Sequence, residues 1–359
     1  MKFINTLLLV VGVGFLAGSV WTIGATELCR EMSSLGWGLV PFVLGEGVAE
    51  MIHTVGWRHC LNGIYRSLPW FVLFRIRMAG YAINYLTPTA SLGGELTKAA
   101  LLASRCRGPE AVSGVLAEKV ALALAHVIFV CLGLLMVLRR ADLSRALWTS
   151  MVLSALLVAG GIAAFLFLQE RGQLGWLIRS LAARKNGRSM LKTAAAHITQ
   201  VDQALRSFYR EHPLDLWRAV VWHLLGFSVG IFQAWFFFHL LIPHASLGMA
   251  TASLILGMWC DLLTFAVPLN AGSLEGSRMM AARGLGFSAL LGLTYGLALR
   301  LAQFFWAGVG LALYAWQTGT CAPRRPHSQS ISMAPDVCRE RPVGKPLTRS
   351  LPMFKNLHI

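Results

Sequence analysis

Charge is what this 359-residue sequence has least of. Asp, Glu, Lys and Arg make up 13% of it, against roughly a quarter in water-soluble domains. That scarcity excludes an ordinary soluble fold, which needs charged residues to cover its solvated faces. Acidic residues are rarer still, 16 against 32 Lys and Arg. The seven cysteines are scattered and form no C-x-x-C, so neither a disulfide framework nor a zinc site organises the chain. No G-x-S-x-G, H-E-x-x-H or P-loop occurs, which removes the usual nucleophile elbow, zinc hydrolase and ATP-driven pump. No cofactor, metal or catalytic residue set is expected.

What the chain does have is apolar length. Hydrophobic residues make up 56%, mean hydropathy is +0.59, and several apolar runs exceed the ~18 residues that mark a transmembrane helix. The sequence reads as an all-α, polytopic membrane helix bundle. Its net charge of +16 invites a nucleic-acid partner, but the distribution argues against one. Nine Lys/Arg fall between Arg171 and Arg218 and seven between Arg324 and Lys355. Basic residues gathered in a loop and a tail are the positive-inside signature and an attraction to anionic lipid.

Spans are expected at about 3–25, 34–57, 111–138, 146–169, 217–241 and 287–316. Two further regions pair apolar runs too short for comfortable crossing, 68–86 with 94–104 and 247–267 with a run ending near Ala282. The links between those runs share a pattern 180 positions apart. Pro88-Thr-Ala-Ser-Leu-Gly-Gly-Glu95-Leu-Thr-Lys98 and Pro268-Leu-Asn-Ala-Gly-Ser-Leu-Glu275-Gly-Ser-Arg278 each read Pro, six residues, Glu, two residues, then a base. Paired Gly/Pro-interrupted segments in two halves of a membrane protein point to a site built from broken helices. Read as re-entrant helical hairpins, they leave six crossing helices. Both termini then share the cytoplasmic side with the basic loop, and the hairpins enter from opposite faces as an inverted repeat. Arg139, Arg140 and Arg145 fall on the outer side, against the charge bias. The membrane domain is expected over 1–317. Within it, 170–216 is a basic loop whose apolar residues from Leu191 to Phe208 recur at helical spacing, as in an interfacial helix. Residues 318–359, rich in Pro, Ser and Arg, are expected to be a disordered cytoplasmic tail.

Ionisable groups inside spans are costly and by default face the bundle interior. Glu46, Glu50 and His53 share one helical face, and Glu118 and His126 share another. Arg77 and Asp261 lie in the arms leading into the two hairpin bends, and Arg300 is mid-span in the last helix, where it needs an acidic partner; Glu275 and Asp261 are the candidates. Each Gly-rich bend hands over to a new short helix, whose free N–H groups favour a carboxylate in the first turn. Glu95 and Glu275 are therefore either helix caps or ligand groups. In the second case the helix starts, with Lys98 and Arg278 one turn on, hold a lipid phosphate, and the glutamates take an amine, a hydroxyl or a proton. Gly14/Gly18, Gly226/Gly230 and Gly292/Gly296 suggest close helix packing.

The residues Arg77, Asn84-Tyr-Leu-Thr-Pro88, Gly93-Gly94-Glu95, Glu118-Lys119, Pro268, Gly272-Ser273-Leu274-Glu275-Gly276 and Arg300 to Trp306 carry a resemblance. Over residues 7–316 the chain resembles the membrane region of lysylphosphatidylglycerol synthases, the flippase-like domain family that includes hopanoid-associated membrane proteins. The resemblance implies a multi-pass bacterial inner-membrane protein that binds or moves a polar lipid, anionic or amino-bearing. It implies substrate contacts at Arg77, Asn84, Gly93, Gly94, Glu95, Lys98, Glu118, Ser273, Glu275, Arg278 and Arg300. Full synthases carry a soluble aminoacyl-transferase domain after this region, whereas here residues 317–359 follow, so lysyl transfer by this chain alone is not expected. Lipid translocation is the leading expectation. Headgroup modification within the membrane, or a non-catalytic role beside a lipid-synthesis enzyme, are the alternatives.

The topology is testable by labelling single cysteines placed in a cysteine-free background. Ser91→Cys is expected to react from the cytoplasm and Asn270→Cys from the opposite face. Labelling of both from one face overturns the inverted arrangement.

Overall fold

The computed structural model describes residues 14, 17–86, 92–105, 110–138, 149, 152–153, 156, 160, 210–263 and 270–319. The expected span at 146–169, the helical pattern at 191–208, the arginines at 139, 140 and 145, both bend prolines and the tail beyond 319 lie wholly or mostly outside these residues. Every regular element among the described residues is a helix. In chain order the helices are α1 (Ala25–Ser34), a 3-10 turn (Gly36–Gly38), α2 (Leu39–His59), α3 (Gly63–Arg66), α4 (Trp70–Leu86), α5 (Leu92–Arg105), α6 (Glu110–Leu138), α7 (Pro213–Leu241), α8 (Leu247–Leu263), α9 (Ser273–Gly284) and α10 (Ala289–Gly319).

Length and composition sort them into two kinds. Among the described residues, four helical stretches are long and apolar enough to cross a membrane: Gly36–His59, Ala111–Met136, Pro213–Leu241 and Ala289–Trp316. In contrast, α4 and α8 have 17 residues each, α5 has 14 and α9 has 12. At 1.5 Å per residue these reach only about 18–26 Å, short of the ~30 Å hydrocarbon core. Each short pair packs on itself, α4 with α5 and α8 with α9, as the two hairpins expected from the sequence.

The packing repeats. α2, α4, α5 and α6 touch in succession, and so do α7, α8, α9 and α10. Across the halves, α10 lies on α4 as α6 lies on α8, and α10 meets α2 as α6 meets α7. The halves join along α2 and α7. Gly38 faces Leu240 at one end, Gly45 faces Gln233, and Gly56 faces His223 at the other, so these two helices run antiparallel. Gln233 Nε2 donates to the Phe42 carbonyl at 2.8 Å across the same seam. Two apolar cores form, each drawing residues from both halves. Trp57, Leu61, Tyr65, Leu73, Ile76 and Leu102 centre the first; Phe42, Phe237, Phe238, Leu274, Tyr295 and Leu299 centre the second.

Glycine placement explains how backbones with so little shape polarity lock together. With lipid on the outside there is no hydrophobic gain in bringing helices together, so close van der Waals contact between small residues must do it. A Cβ on Gly292 would run into the backbone of α9 at Arg278 and Met279, and one on Gly296 would crowd Glu275. The pairing expected at Gly292/Gly296 is therefore real. Gly226 is also in tight contact, against a histidine ring, while a Cβ at Gly14 or Gly18 meets nothing within 4 Å among the described residues. The second bend owes its shape to Gly272, whose φ of 70° is left-handed, next to Asn270 at φ 47°.

The N-terminal part departs from expectation. Of the span expected over 3–25, residues 3–13, 15 and 16 lie outside the described residues; its end matches Gly24, where φ is 101°, but an unexpected separate α1 with a polar face follows before the crossing helix begins. Positive φ at a glycine ends one helical direction and allows another.

Gly292→Leu is expected to cost about 1–3 kcal/mol through overpacking against α9. Gly308→Leu, at an exposed position of α10 where a Cβ meets nothing within 4 Å among the described residues, should be neutral. Thermal unfolding of the purified protein in detergent, followed by monodisperse elution, compares the two.

Candidate functional site

Charges inside this bundle form two paired clusters. In the first, Arg77 of α4 donates from Nε to Glu50 Oε2 of α2 at 2.6 Å and from Nη1 to Glu118 Oε1 of α6. Lys98 of α5 places Nζ 2.6 Å from the other Glu118 oxygen and 2.6 Å from Glu95 Oε2. It also sits over the Trp57 ring, 5.3 Å from the centroid. Lys119, half exposed, closes the chain on Glu95 Oε1 at 3.3 Å. Three carboxylates and three cations from four helices thus alternate through the bundle. Glu118 is only 1% exposed, a carboxylate tolerable there because a cation meets each oxygen.

Local sequence makes room for this cluster. A Cβ on Gly80 would strike the Lys98 stem, and one on Gly94 would strike the Gly80 carbonyl and Asn84. Those two glycines let α4 and α5 approach until Asn84 Oδ1 can accept from the Gly94 N–H at 2.6 Å. Gly93, beside it, gives its carbonyl to Thr97 Oγ1 at 2.8 Å. One turn earlier on α2, Glu46 accepts from Tyr81 Oη at 3.4 Å.

The second cluster is built on α9. Glu275, fully buried, faces Arg300 of α10: Nε bonds Oε1, and Nη2 reaches Oε2 at 2.8 Å. Arg300 Nη2 also donates to the Asn270 carbonyl at 2.8 Å, and Nη1 to Tyr85 Oη of α4 at 3.2 Å. One guanidinium therefore holds the bend of the second hairpin and the end of the first hairpin's leading arm. Arg278 turns the other way. Its Nη2 meets Asp261 Oδ2 of α8 at 2.8 Å and its Nη1 meets Ser277 Oγ at 3.0 Å. Gly257 of α8 leaves the space that this guanidinium occupies.

All eleven residues singled out by sequence lie in or beside these clusters, but several roles change. Of the two acids expected beside Arg300, Glu275 is there, whereas Asp261 pairs with Arg278. Glu275 does not cap α9, because both its oxygens face Arg300. Lys98 and Arg278, expected one turn into their helices as phosphate donors, are each already held by carboxylates. Ser273 is on the first turn of α9 with its Oγ buried and unpartnered among the described residues. His126 does not join Glu118; its ring packs edge-on against Phe227.

One residue escaped sequence reasoning altogether. His223 of α7 lies 2.9 Å from His53 of α2, Nδ1 to Nδ1, with ring centroids 5.1 Å apart. The signal was a second repeat, His53-Thr-Val-Gly56 and His223-Leu-Leu-Gly226. Each glycine accommodates the other helix's histidine.

A family model described as the lysylphosphatidylglycerol synthase transmembrane region matches residues 4–311. A UPF0104 membrane protein of Methanothermobacter thermautotrophicus is 25% identical over 224 residues, covering 59% of this chain and 65% of that protein's length. No solved structure matches.

Removing one member of the Arg300–Glu275 pair strands the other in the bundle. Arg300→Met and Glu275→Leu are each expected to destabilise by about 3–5 kcal/mol, and the double change to recover most of that loss. Unfolding midpoints of the three variants measure this; single variants as stable as wild type would rule out an energetic role for the pair.

Proposed function

The chain belongs to the family of the lysylphosphatidylglycerol synthase transmembrane region, and from that premise we propose that it binds the polar headgroup of a membrane lipid in its charged interior and moves it across the bilayer without covalent chemistry. The observation that carries this reading is the alternating chain Glu50–Arg77–Glu118–Lys98–Glu95 inside a bundle of apolar helices. A structural staple needs one ion pair. This chain offers, in one connected set, cations for a phosphate and carboxylates for an amine. A headgroup of either kind can replace one protein partner by another of the same sign, so the buried charge stays balanced during exchange.

The antiparallel run of α2 and α7, and the recurrence of the packing around them, support reading the halves as an inverted repeat. Transport then follows from rocking one hairpin and its supporting helices against the other. Arg300, gripping Tyr85, Asn270 and Glu275 together, is the contact that registers the two hairpins. In this reading the protein sits in a bacterial inner membrane with both termini and residues 170–216 in the cytoplasm, and a lipid-synthesis enzyme supplies or receives the lipid.

Proteoliposomes loaded with fluorescent phospholipid and probed with a membrane-impermeant quencher test the proposal. Glu95→Gln keeps a hydrogen-bond acceptor toward Lys98 but loses the charge, and should drop translocation to background while the protein still elutes as one species. Lys98→Gln should lower it further than it lowers stability. Full translocation by Glu95→Gln removes this residue from the site, and a wild type that leaves the lipid unmoved overturns the proposal.

A further inference from the structure

Where the two halves meet, the structure puts a histidine from each. His53 and His223 occupy corresponding places on α2 and α7, both buried, with a Nδ1 to Nδ1 distance of 2.9 Å. The crossing is cleared for them on both sides. A Cβ at Gly226 would strike the His53 ring, and one at Gly56 would crowd the His223 ring. Glycine inside a helix is unfavourable by about 1 kcal/mol relative to alanine, so two of them at matching positions is a cost incurred to seat these rings. Phe227 closes the pocket edge-on against His53.

Two imidazoles at that distance share a single hydrogen. One ring donates through Nδ1–H and the other accepts at a bare Nδ1. The donor ring's Nε2 is then a free lone pair, so the pair can accept one more proton without moving a heavy atom. Among the described residues His223 Nε2 is buried without a hydrogen-bond partner, so with His223 as the donor ring nothing there competes for that lone pair.

The surroundings say what a proton there would do. α2 contributes Glu50 and Glu46, α4 Arg77, α5 Lys98, and α6 Glu118 and His126. Arg77 and Glu118 are within electrostatic reach of both histidines, and Lys98 of His223. α8 and α10 direct their own charges, Asp261 and Arg300, to Arg278 and Glu275. A positive imidazole pair therefore competes with Arg77 and Lys98 for Glu118. Conversely, a phosphate that draws Arg77 or Lys98 away leaves Glu118 short of a cation beside the histidines. In a medium where uncompensated charge is costly, a proton on the pair restores the balance.

We propose that His53 and His223 form a single proton-binding site, and that a phosphate-bearing headgroup and a proton enter the bundle together. The inference rests on the headgroup-binding reading above and names its coupling ion. The proton adds to the free Nε2 of the pair when phosphate takes over Arg77 or Lys98. It leaves when the headgroup departs and those cations return to Glu118. Because linkage is reciprocal, proton uptake on lipid binding and pH-dependent lipid affinity must appear together.

The test uses the full chain in weakly buffered vesicles of phosphatidylcholine, with short-chain phosphatidylglycerol added and binding followed separately by fluorescence. A pH indicator should record about one proton taken up per lipid bound, and apparent affinity should fall roughly tenfold per pH unit where the pair is empty. In His53→Gln/His223→Gln, where two amides can replace the ring contact, lipid should still bind but with no proton uptake and no pH dependence. Wild-type binding without proton uptake overturns the inference and leaves the lipid reading standing; absence of binding overturns both. Should the double variant fail to elute as one species, His53→Gln and His223→Gln are compared singly, and unchanged uptake in both overturns it. Glycerol 3-phosphate in a parallel arm separates the sources: proton uptake with it alone assigns the site to a soluble phosphate ester and unseats the lipid.

Discussion

A guanidinium in a hydrocarbon-bounded bundle must find carboxylate, and Arg77 finds two on two different helices. Most of the first half hangs on that demand. Glu50 fixes α2, Glu118 fixes α6, and Lys98 brings α5 to the second oxygen of Glu118, so four helices are positioned by charges that cannot be left alone. The second half solves the same problem more economically. Arg278 with Asp261 joins α9 to α8, and Arg300 with Glu275 joins α10 to α9. The halves differ in how their charge is spread. The first holds a continuous chain that can rearrange link by link, and the second holds two separate pairs.

Glycine is the complement of that ionic framework. Gly80 admits the Lys98 side chain, Gly94 admits the Asn84 amide, Gly257 admits the Arg278 guanidinium, and Gly56 and Gly226 admit the histidine rings. In each case the missing side chain is replaced by a polar group reaching in from a neighbouring helix. These glycines are thus the sockets of the polar interior as well as points of close approach.

The parts of this arrangement that were legible in the sequence are those with a local signature. The Pro–Glu–base repeat located both hairpins, because proline and adjacent glycines interrupt an apolar run where one helix stops and the next begins. Apolar run length located the four long apolar helices found among the described residues, and Arg300 announced its need for an acid simply by being mid-span. What stayed hidden depended on contacts between distant segments. His223, alone in a greasy run, has no periodic neighbour, and only its partner 170 positions earlier gives it meaning. Gly226 looked like a helix-packing residue because spacing cannot say whether a glycine faces a backbone or an imidazole. Asp261 could have served Arg300 or Arg278, and only the rotation of α9 decided between them. The end of the first apolar run at Gly24 was legible because Thr26, Glu27, Arg30 and Glu31 follow it, but the separate helix those residues form before the next crossing was not.

The lengths of the crossing helices have a bearing on the membrane itself. The apolar stretches in α6, α7 and α10 contain 26, 29 and 28 residues, which at 1.5 Å each come to about 39–44 Å. A hydrocarbon layer is about 30 Å thick, so these helices either lean well away from the bilayer normal or draw the surrounding acyl chains into a thicker collar. The hairpin arms, at about 18–26 Å, impose the opposite deformation where they face lipid. Thick and thin borders placed side by side around one protein would oblige the surrounding lipid to change thickness over a short distance.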